Sequence, residues 1–204
     1  MTQNIITDVP LKKKNKSAIF FSDRVEFNGI CIFYDDIDVL MTNAQTTIHT
    51  YVFIPVARSF DGGARFKTKA GKTKSINMNC MTLFGIPLGG SPRKIEKLYP
   101  ALFDAVFNIV AKYMAQKYIN LIKAGEAVEV AGLIINASEA KTKAKNEKKV
   151  VVINKENYLE CLITNDYGVA VYNKSSDMLW RSSVWSNKNT LLVPHILDDI
   201  FGSQ

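Results

Sequence analysis

Cysteine and histidine are scarce in this sequence, which has three cysteines and two histidines among 204 residues. Cys31, Cys80 and Cys161 are far apart and form no CxxC pair. Cys31 and Cys161 lie within apolar strand patterns, where a thiol behaves as a small hydrophobic side chain. His49 and His195 show neither HxxxH nor HxxE spacing, so they do not indicate a metal site. We therefore expect buried, reduced thiols in a reducing compartment and no bound metal.

Long hydrophobic runs are also absent. The longest apolar stretches fall well short of the about 18 residues needed to cross a bilayer. The first seventeen residues, MTQNIITDVPLKKKNKS, lack the apolar stretch that follows the charges of a secretory signal. We expect a cytoplasmic protein, and peripheral association with a membrane stays open. With 47% hydrophobic residues, the chain can bury the core of one large domain or of two small ones.

Signatures of catalysis are missing as well. The segment GIPLGGSPRK, residues 85–94, places glycines before a predicted helix but lacks the GxxxxGK[ST] spacing of a phosphate-binding loop. Asp35, Asp36 and Asp38 lie close together, but they fall at a turn and a strand start, where aspartate is common. No serine, cysteine or lysine has a base near it in the sequence. We expect no enzyme, no cofactor and no small-molecule substrate.

The sequence does contain one segment that occurs twice in similar form. GICIFYDDIDVLMTN, residues 29–43, is matched about 120 residues later by VVVINKENYLECLITN, residues 150–165. In both, a β-branched run leads to a polar bend and then to a second apolar run that closes on Thr-Asn. Strand patterns precede each copy, and two further strand patterns and a helix follow it. The sequence therefore predicts two copies of one small antiparallel sheet domain.

Each copy ends in a predicted helix. The first helix follows Ser91-Pro92, a good cap and first-turn pair, and runs to about Lys123 before Gly125 stops it. The second helix is TLLVPHILDDIF, residues 190–201. Within the first helix, Pro100 either causes a kink or marks the true start. Its apolar stripe is wide, and we expect four of its side chains to be almost fully buried: Phe103, Phe107, Val110 and Met114.

A long hairpin is predicted between the first copy and the first helix. Its turns are marked by Asp61-Gly62-Gly63 and by Ala70-Gly71-Lys72. The part RFKTKAGKTK alternates, so Arg65, Lys67 and Lys69 should project to one side of a strand, and Phe66 and Thr68 to the other.

The order of these elements resembles that of the pleckstrin-homology (PH) domain, in which antiparallel strands are followed by one C-terminal helix. The resemblance is to bacterial tandem PH-like proteins of unknown function, and it rests on the segments FYDDI, RFKTKAGKTK, KIEKLYPALFDAVFNIV, LIKAGEAVEVAG and WSNKNTLL. It implies an α+β, β-rich fold with a flexible basic tail over 1–17 and PH-like domains over 18–124 and 125–204. For activity it implies little, because PH-like folds host lipid-binding, peptide-binding and structural roles.

Basic residues are clustered more than the net charge of +7 suggests. Three tracts, KKKNK at 12–16, RFKTKAGKTK at 65–74 and KTKAKNEKK at 141–149, hold four, five and five of the 26 lysines and arginines. The last tract falls where phosphoinositide-binding PH domains carry their basic loop. Such clusters bind phosphates or acidic surfaces, but lysine-rich hairpins also serve as solvated surface that protects a sheet edge. The candidate residues for an anion or a lipid headgroup are Arg65, Lys67, Lys69, Lys141, Lys143, Lys145, Lys148 and Lys149.

Two further segments are candidates for contact with a partner protein. The segment CMTLFGIPLGGSPRK is longer and more apolar than a PH layout needs, and it contributes Phe84 and Ile86 as a connector or partner-binding loop. Trp180 and Trp185 should face opposite sides of one strand, so Trp185 is a candidate interface aromatic unless both pack in the core.

The leading hypothesis is a binding or scaffolding protein that acts on a protein partner or on itself. A peripheral membrane module that binds anionic headgroups is the first alternative, and a nucleic-acid-binding protein the second. The nucleic-acid alternative is the weaker of the two, because the aromatic residues lie mostly in apolar runs instead of alternating with basic residues on one face.

Overall fold

The computed structural model describes residues 5–11, 16–88, 91–142, 150–165, 167–184 and 187–202. Antiparallel strands make up most of these ranges. The chain folds into two compact units, of which the first ends at Val110 and the second begins at Ala111.

The first unit opens with a four-stranded antiparallel sheet in the order β1-β2-β3-β4. Alternating side chains such as Ala18 and Phe20 point into the core, as expected for strands with one solvated face. Asn28 and Gly29 both have positive φ and form the tight turn between the third and fourth strands. The strands are β1 (Ile5–Pro10), β2 (Ser17–Phe21), β3 (Arg24–Phe27) and β4 (Ile30–Phe33).

The second sheet of the first unit follows a single helical turn at Tyr34–Asp36. Its order is β5-β6-β8-β9, and β7 pairs with the part of β6 that β8 leaves free. Its strands are β5 (Ile37–Tyr51), β6 (Ile54–Thr68), β7 (Thr73–Asn77), β8 (Cys80–Leu83) and β9 (Ile86–Leu88).

The turn expected at Asp61-Gly62-Gly63 is wrong, because these residues lie inside β6. A Cβ atom would lie 2.5 Å from the Phe60 ring at Gly62, and 2.2 Å from the carbonyl oxygen of Ile76 at Gly63. The two glycines therefore allow a close approach within the sheet instead of reversing the chain. The turn expected at Ala70-Gly71-Lys72 is confirmed between β6 and β7.

The long predicted helix is confirmed from Pro92 to Lys123. It consists of α1 (Pro92–Ala105), a π-helical segment (Val106–Ala111) and α2 (Lys112–Lys123), with Pro100 inside α1. Gly125 follows with φ of 93°, a conformation typical of a helix end.

The expected burial along this helix is confirmed at Phe103, Val110 and Met114 and is wrong at Phe107. Phe107 is half-buried and stacks on Phe103, with ring centroids 6.3 Å apart. The π-helical spacing shifts side chains away from the 3.6-residue period on which the prediction rested.

The second unit begins with α2 and repeats the order of the first. A four-stranded antiparallel sheet, a second antiparallel sheet and a final helix follow one another. Its remaining elements are β10 (Val128–Val130), β11 (Leu133–Ile135), β12 (Glu139–Thr142), β13 (Val152–Asn154), β14 (Tyr158–Ile163), β15 (Val169–Asn173), β16 (Met178–Ser182) and α3 (Leu192–Phe201). The predicted fold class is thus confirmed at the level of a β-rich, antiparallel protein with one long helix and one short C-terminal helix.

The three thiols do not share one environment. Cys80 and Cys161 are buried, and burial raises the pKa of the Cys161 thiol well above its usual value. Cys31 is exposed, so the expectation that it is buried is wrong. It lies on the solvent side of β4, where it alternates with the buried Ile32.

Neither a membrane span nor a metal cluster is found in the part of the chain that the structure describes. No helix there combines the length and the apolar character needed to cross a bilayer. No group of three or more His, Cys, Asp or Glu side chains there could hold a metal ion.

Candidate functional site

The β5–β6 hairpin is longer than the core it covers. Each strand has 15 residues, which corresponds to roughly 50 Å of extended chain. Burial in β6 begins at Phe60, whereas no residue from Ile54 to Ser59 is buried. The far part of the hairpin therefore extends beyond the core of its own unit.

This part of the sheet exposes an unusual amount of apolar surface. Of the eighteen large apolar side chains that are exposed among the described residues, nine belong to the two hairpins here. The four on β8 and β9 share one face of the sheet, whereas Ile48, opposite Arg58, lies on the other face, so the exposed apolar side chains are distributed over both faces. We call this surface the apolar end, and it consists of Ile48, Val52, Phe53, Ile54, Met81, Leu83, Phe84, Ile86 and Leu88.

Strand register brings the two hairpins together. Ala57 of β6 is opposite Leu83 of β8, and Leu83 is in turn opposite Ile86 of β9. The Phe84 N–H donates a hydrogen bond to the carbonyl oxygen of Val56, with 2.7 Å between the two atoms. The β8–β9 turn is thereby fixed beside the β5–β6 turn.

Both turns place a phenylalanine at positive φ. Val52 and Phe53 have φ of 47° and 64°, and Phe84 has φ of 47° beside Gly85 at 80°. This conformation is uncommon for any residue with a side chain, and it is an outlier for a β-branched one such as Val52. Phe53 is 97% exposed and Phe84 74% exposed, so the strain is not offset by burial. Backbone strain of this kind is a reason to look for function at these turns.

A groove of about 400 Å³ lies where the apolar end meets the start of α1. Arg58, which lines the groove, forms an ion pair with Glu96 of α1, with Arg58 Nη2 2.6 Å from Glu96 Oε2, and Thr46 Oγ1 donates a hydrogen bond to the same carboxylate. The Nε atom of Arg58 is buried without a hydrogen-bond partner among the described residues. The groove therefore combines apolar lining residues with a guanidinium group held in place from outside the groove.

The hairpin segments that carry the apolar end are almost free of charge. Residues 42–60 contain His49 and Arg58 as their only basic side chains and no Asp or Glu, and residues 81–88 contain no basic or acidic side chain. A partner therefore meets little ionic desolvation cost at this surface.

The basic ribbon lies at the other end of β6. Arg65, Lys67 and Lys69 are exposed and Phe66 is buried, which confirms the predicted alternation. About 40 Å of strand separates these residues from Ile54. Whether they bind an anion stays a prediction.

The second basic tract is only partly within the described residues. Lys141 is exposed and forms an ion pair with Glu139 on the same strand. The other candidates of this tract, together with Trp185, lie outside the described residues: Lys143, Lys145, Lys148 and Lys149.

Of the predicted partner-binding residues, Phe84 and Ile86 are both exposed on the β8–β9 hairpin. Their segment is not the connector or loop that we expected, since a four-residue and a three-residue strand pair across the Phe84-Gly85 turn. Sequence reasoning missed the β5–β6 turn and its residues. The turn lies within TYVFIPV, residues 50–56. This largely apolar segment is typical of one continuous strand, so it gave no signal for a turn.

In the second unit a hydrogen bond joins the buried Tyr158 to Asp198, a residue on the exposed side of α3. The Tyr158 hydroxyl on β14 donates a hydrogen bond to Asp198 Oδ1 on α3. Burial raises the pKa of Tyr158 and that of Asp198, while the hydrogen bond opposes part of the rise at Asp198. The pair fastens the final helix to its sheet, a structural role.

Comparison with known proteins finds no matching family model, no matching curated protein and no matching solved structure. The function of the chain therefore has to follow from the geometry of its own residues.

Proposed function

We propose that this protein is a non-enzymatic binding or scaffolding protein built from two PH-like units, and that its apolar end is the surface that binds a protein partner. The observation that carries the proposal is the set of nine exposed apolar side chains held on two paired hairpins.

The PH-like part of the proposal is supported by the order of elements in each unit. Each has a four-stranded antiparallel sheet, then a second antiparallel sheet, then a helix: α1 in the first unit and α3 in the second. In addition, each of the two similar segments, residues 29–43 and 150–165, forms a strand, a turn and a second strand. These strands are β4 and β5 in one copy and β13 and β14 in the other.

A protein partner fits this surface better than a small molecule or an ion. The surface presents two phenylalanines, the side-chain class that dominates interface energetics. Both phenylalanines lie in two-residue turns that paired strands close, so binding costs less conformational entropy than it would on a long loop. The charged groups nearby, Arg58 and Glu96, are already paired with each other and form a polar rim.

Photo-crosslinking tests the proposal. Phe84 is replaced by the photoreactive amino acid p-benzoylphenylalanine in cells, and adducts are identified by mass spectrometry. Phe33, on β4 in the other sheet and 48% exposed, serves as the matched control position. We expect protein adducts from position 84 and none from position 33.

A purified adduct partner then provides the quantitative measurement. Phe84→Asp places a charge in the centre of the apolar end, so we expect its binding to weaken at least about tenfold, as for the loss of an interface anchor. The proposal is wrong if position 84 gives no protein adduct, or if Phe84→Asp binds as tightly as the wild type.

A further inference from the structure

We infer that this chain pairs with a second copy of itself through the free edge of β5. This inference goes beyond the proposed function, because the β5 edge lies on one side of β6 and the β8–β9 hairpin with Phe84 lies on the other.

The edge of β5 is unpaired. In the sheet order β5 is a terminal strand, and no described strand other than β6 pairs with it. Its register with β6 runs without a shift over residues 42–49, so the backbone groups on the outer side of this stretch form a regular row. A regular row of free N–H and C=O groups is a template for another strand.

This edge also lacks the features by which proteins usually prevent such pairing. Natural edges carry lysine, proline or bulges, or are very short. Residues 42–49, TNAQTTIH, contain none of Lys, Arg, Asp, Glu or Pro, and three of them are threonines, which favour strands. On the opposite side of β6, β9 has three residues with Pro87 in the middle, and β7, the other outer strand there, carries Lys74, so both have a feature that hinders pairing. The contrast points to β5 as an edge left open for a partner.

A second copy supplies a matching edge by symmetry. Two identical strands that pair in antiparallel fashion are related by a two-fold axis, which gives a closed dimer. With the axis at Thr47, Ile48 is opposite Thr46 of the second copy and His49 is opposite Gln45 of the second copy. No like charges then face each other, and threonine pairs favour such a sheet.

The same hairpin also carries exposed apolar side chains. Ile48 is 55% exposed, and Val52, which is 70% exposed, would lie close to Thr42 of the second copy with the axis at Thr47. The basic ribbon at Arg65 and Lys67 lies outside the paired stretch, so the net charge of +7 does not place lysines against lysines there.

Sedimentation velocity of the purified full chain tests the inference. We expect the wild type to sediment as a dimer, and Thr47→Lys to raise the dissociation constant about tenfold or more, because each lysine would face its own copy across the axis. Gln45→Lys on the same edge gives a second variant that does not depend on the exact position of the axis. Thr73→Lys on β7 of the same sheet is the matched control and should leave the dimer unchanged.

Two results would overturn the inference. One is a wild type that stays monomeric at about 100 µM, well above the micromolar upper range for interfaces of standard size. The other is a wild-type dimer that both edge lysines leave intact, with thermal melting showing that the variants are folded. A monomer that nevertheless crosslinks another protein at position 84 would leave the proposed function standing. A monomer that instead floats with neutral lipid vesicles would show that the apolar end inserts into a bilayer.

Discussion

The second sheets of the two units differ in how far their strands extend beyond the core. In the second unit, β14, β15 and β16 have six, five and five residues, and the consecutive residues Val169, Ala170 and Val171 are all fully buried. Consecutive burial means that both faces of β15 are covered. In the first unit, β5 and β6 have 15 residues each, and the end of β6 at Ile54 is covered on neither face.

The comparison distinguishes strand residues that stabilise the fold by burial from strand residues that extend beyond the core and do not. A strand of five residues is long enough to close the core of the second unit. The additional length of β5 and β6 buries little and exposes apolar side chains, a feature typical of interaction surfaces. Substitutions along the β5–β6 hairpin should therefore have effects that depend on position more than on residue type.

The largest expected effect on the free energy of unfolding is the difference between two Phe→Ala variants, one at each end of the hairpin. Phe66, at the base, is 0% exposed, and Phe53, at the turn, is 97% exposed. Phe66→Ala should lower the free energy of unfolding by about 3 to 5 kcal/mol, through lost burial and the cavity left behind. Phe53→Ala should change it by no more than about 0.5 kcal/mol. Urea titrations of the two variants measure both values, and similar losses would contradict the division of the hairpin into core and extension.

A smaller effect is expected at the glycines of β6, which have no counterpart in β14, β15 or β16. Gly63→Ala would put a methyl group 2.2 Å from the backbone oxygen of Ile76, so β6 and β7 must move apart. We expect a loss of about 1 to 3 kcal/mol, the usual range for overpacking. Ser59→Ala, on the uncovered part of the same strand, is the control and should stay within about 0.5 kcal/mol. Equal denaturation midpoints for the two variants would show that the sheet has room at Gly63.

The smallest effect concerns one polar contact between each final helix and its sheet. In the first unit this contact is the Arg58–Glu96 ion pair, and in the second it is the hydrogen bond from Tyr158 to Asp198. Burial raises the pKa of Asp198 above its usual value, so the folded state holds this proton more tightly than the unfolded state does. Its contribution to stability therefore falls as pH rises through the window between the unfolded and folded pKa values, upward from about pH 4.

Asp198→Asn should remove this pH dependence, because asparagine keeps an acceptor oxygen for Tyr158 and has no charge to bury. We expect the stability of the variant relative to the wild type to increase between about pH 4 and pH 7. Asp104→Asn, at an exposed carboxyl group on α1, controls for the loss of one charge. If the free energies of unfolding of Asp198→Asn and the wild type change with pH in parallel, the raised pKa of Asp198 is contradicted.

Local signals in the sequence were sufficient for the elements that depend on local physics. Ser91-Pro92 and Gly125 fix the ends of the long helix, and Ala70-Gly71 marks a real turn, because capping and turn preferences act over a few residues. The alternation of Phe66 with its basic neighbours gives the buried face of β6 correctly for the same reason.

The incorrect predictions concern residues whose conformation depends on tertiary contacts. Gly62 and Gly63 have the composition of a turn but serve the close approach of β7 and the Phe60 ring. Val52 and Phe53 form a turn although their residue types argue against positive φ, so no turn preference could find it. The four apolar-end residues of the β5–β6 hairpin were therefore missing from the prediction, while Phe84 and Ile86, at the other hairpin, were included.

Pro87 has a consequence for how large an assembly can become. A sheet that is open on both sides can add copies without limit and grow into a filament, whereas one that is open on a single side stops after one addition. Proline in the middle of β9 removes an N–H group from that edge, so further strands find no regular ladder there. If β5 pairs with its own copy, the stoichiometry is fixed at two, and the long hairpin can remain apolar without making the protein prone to fibres.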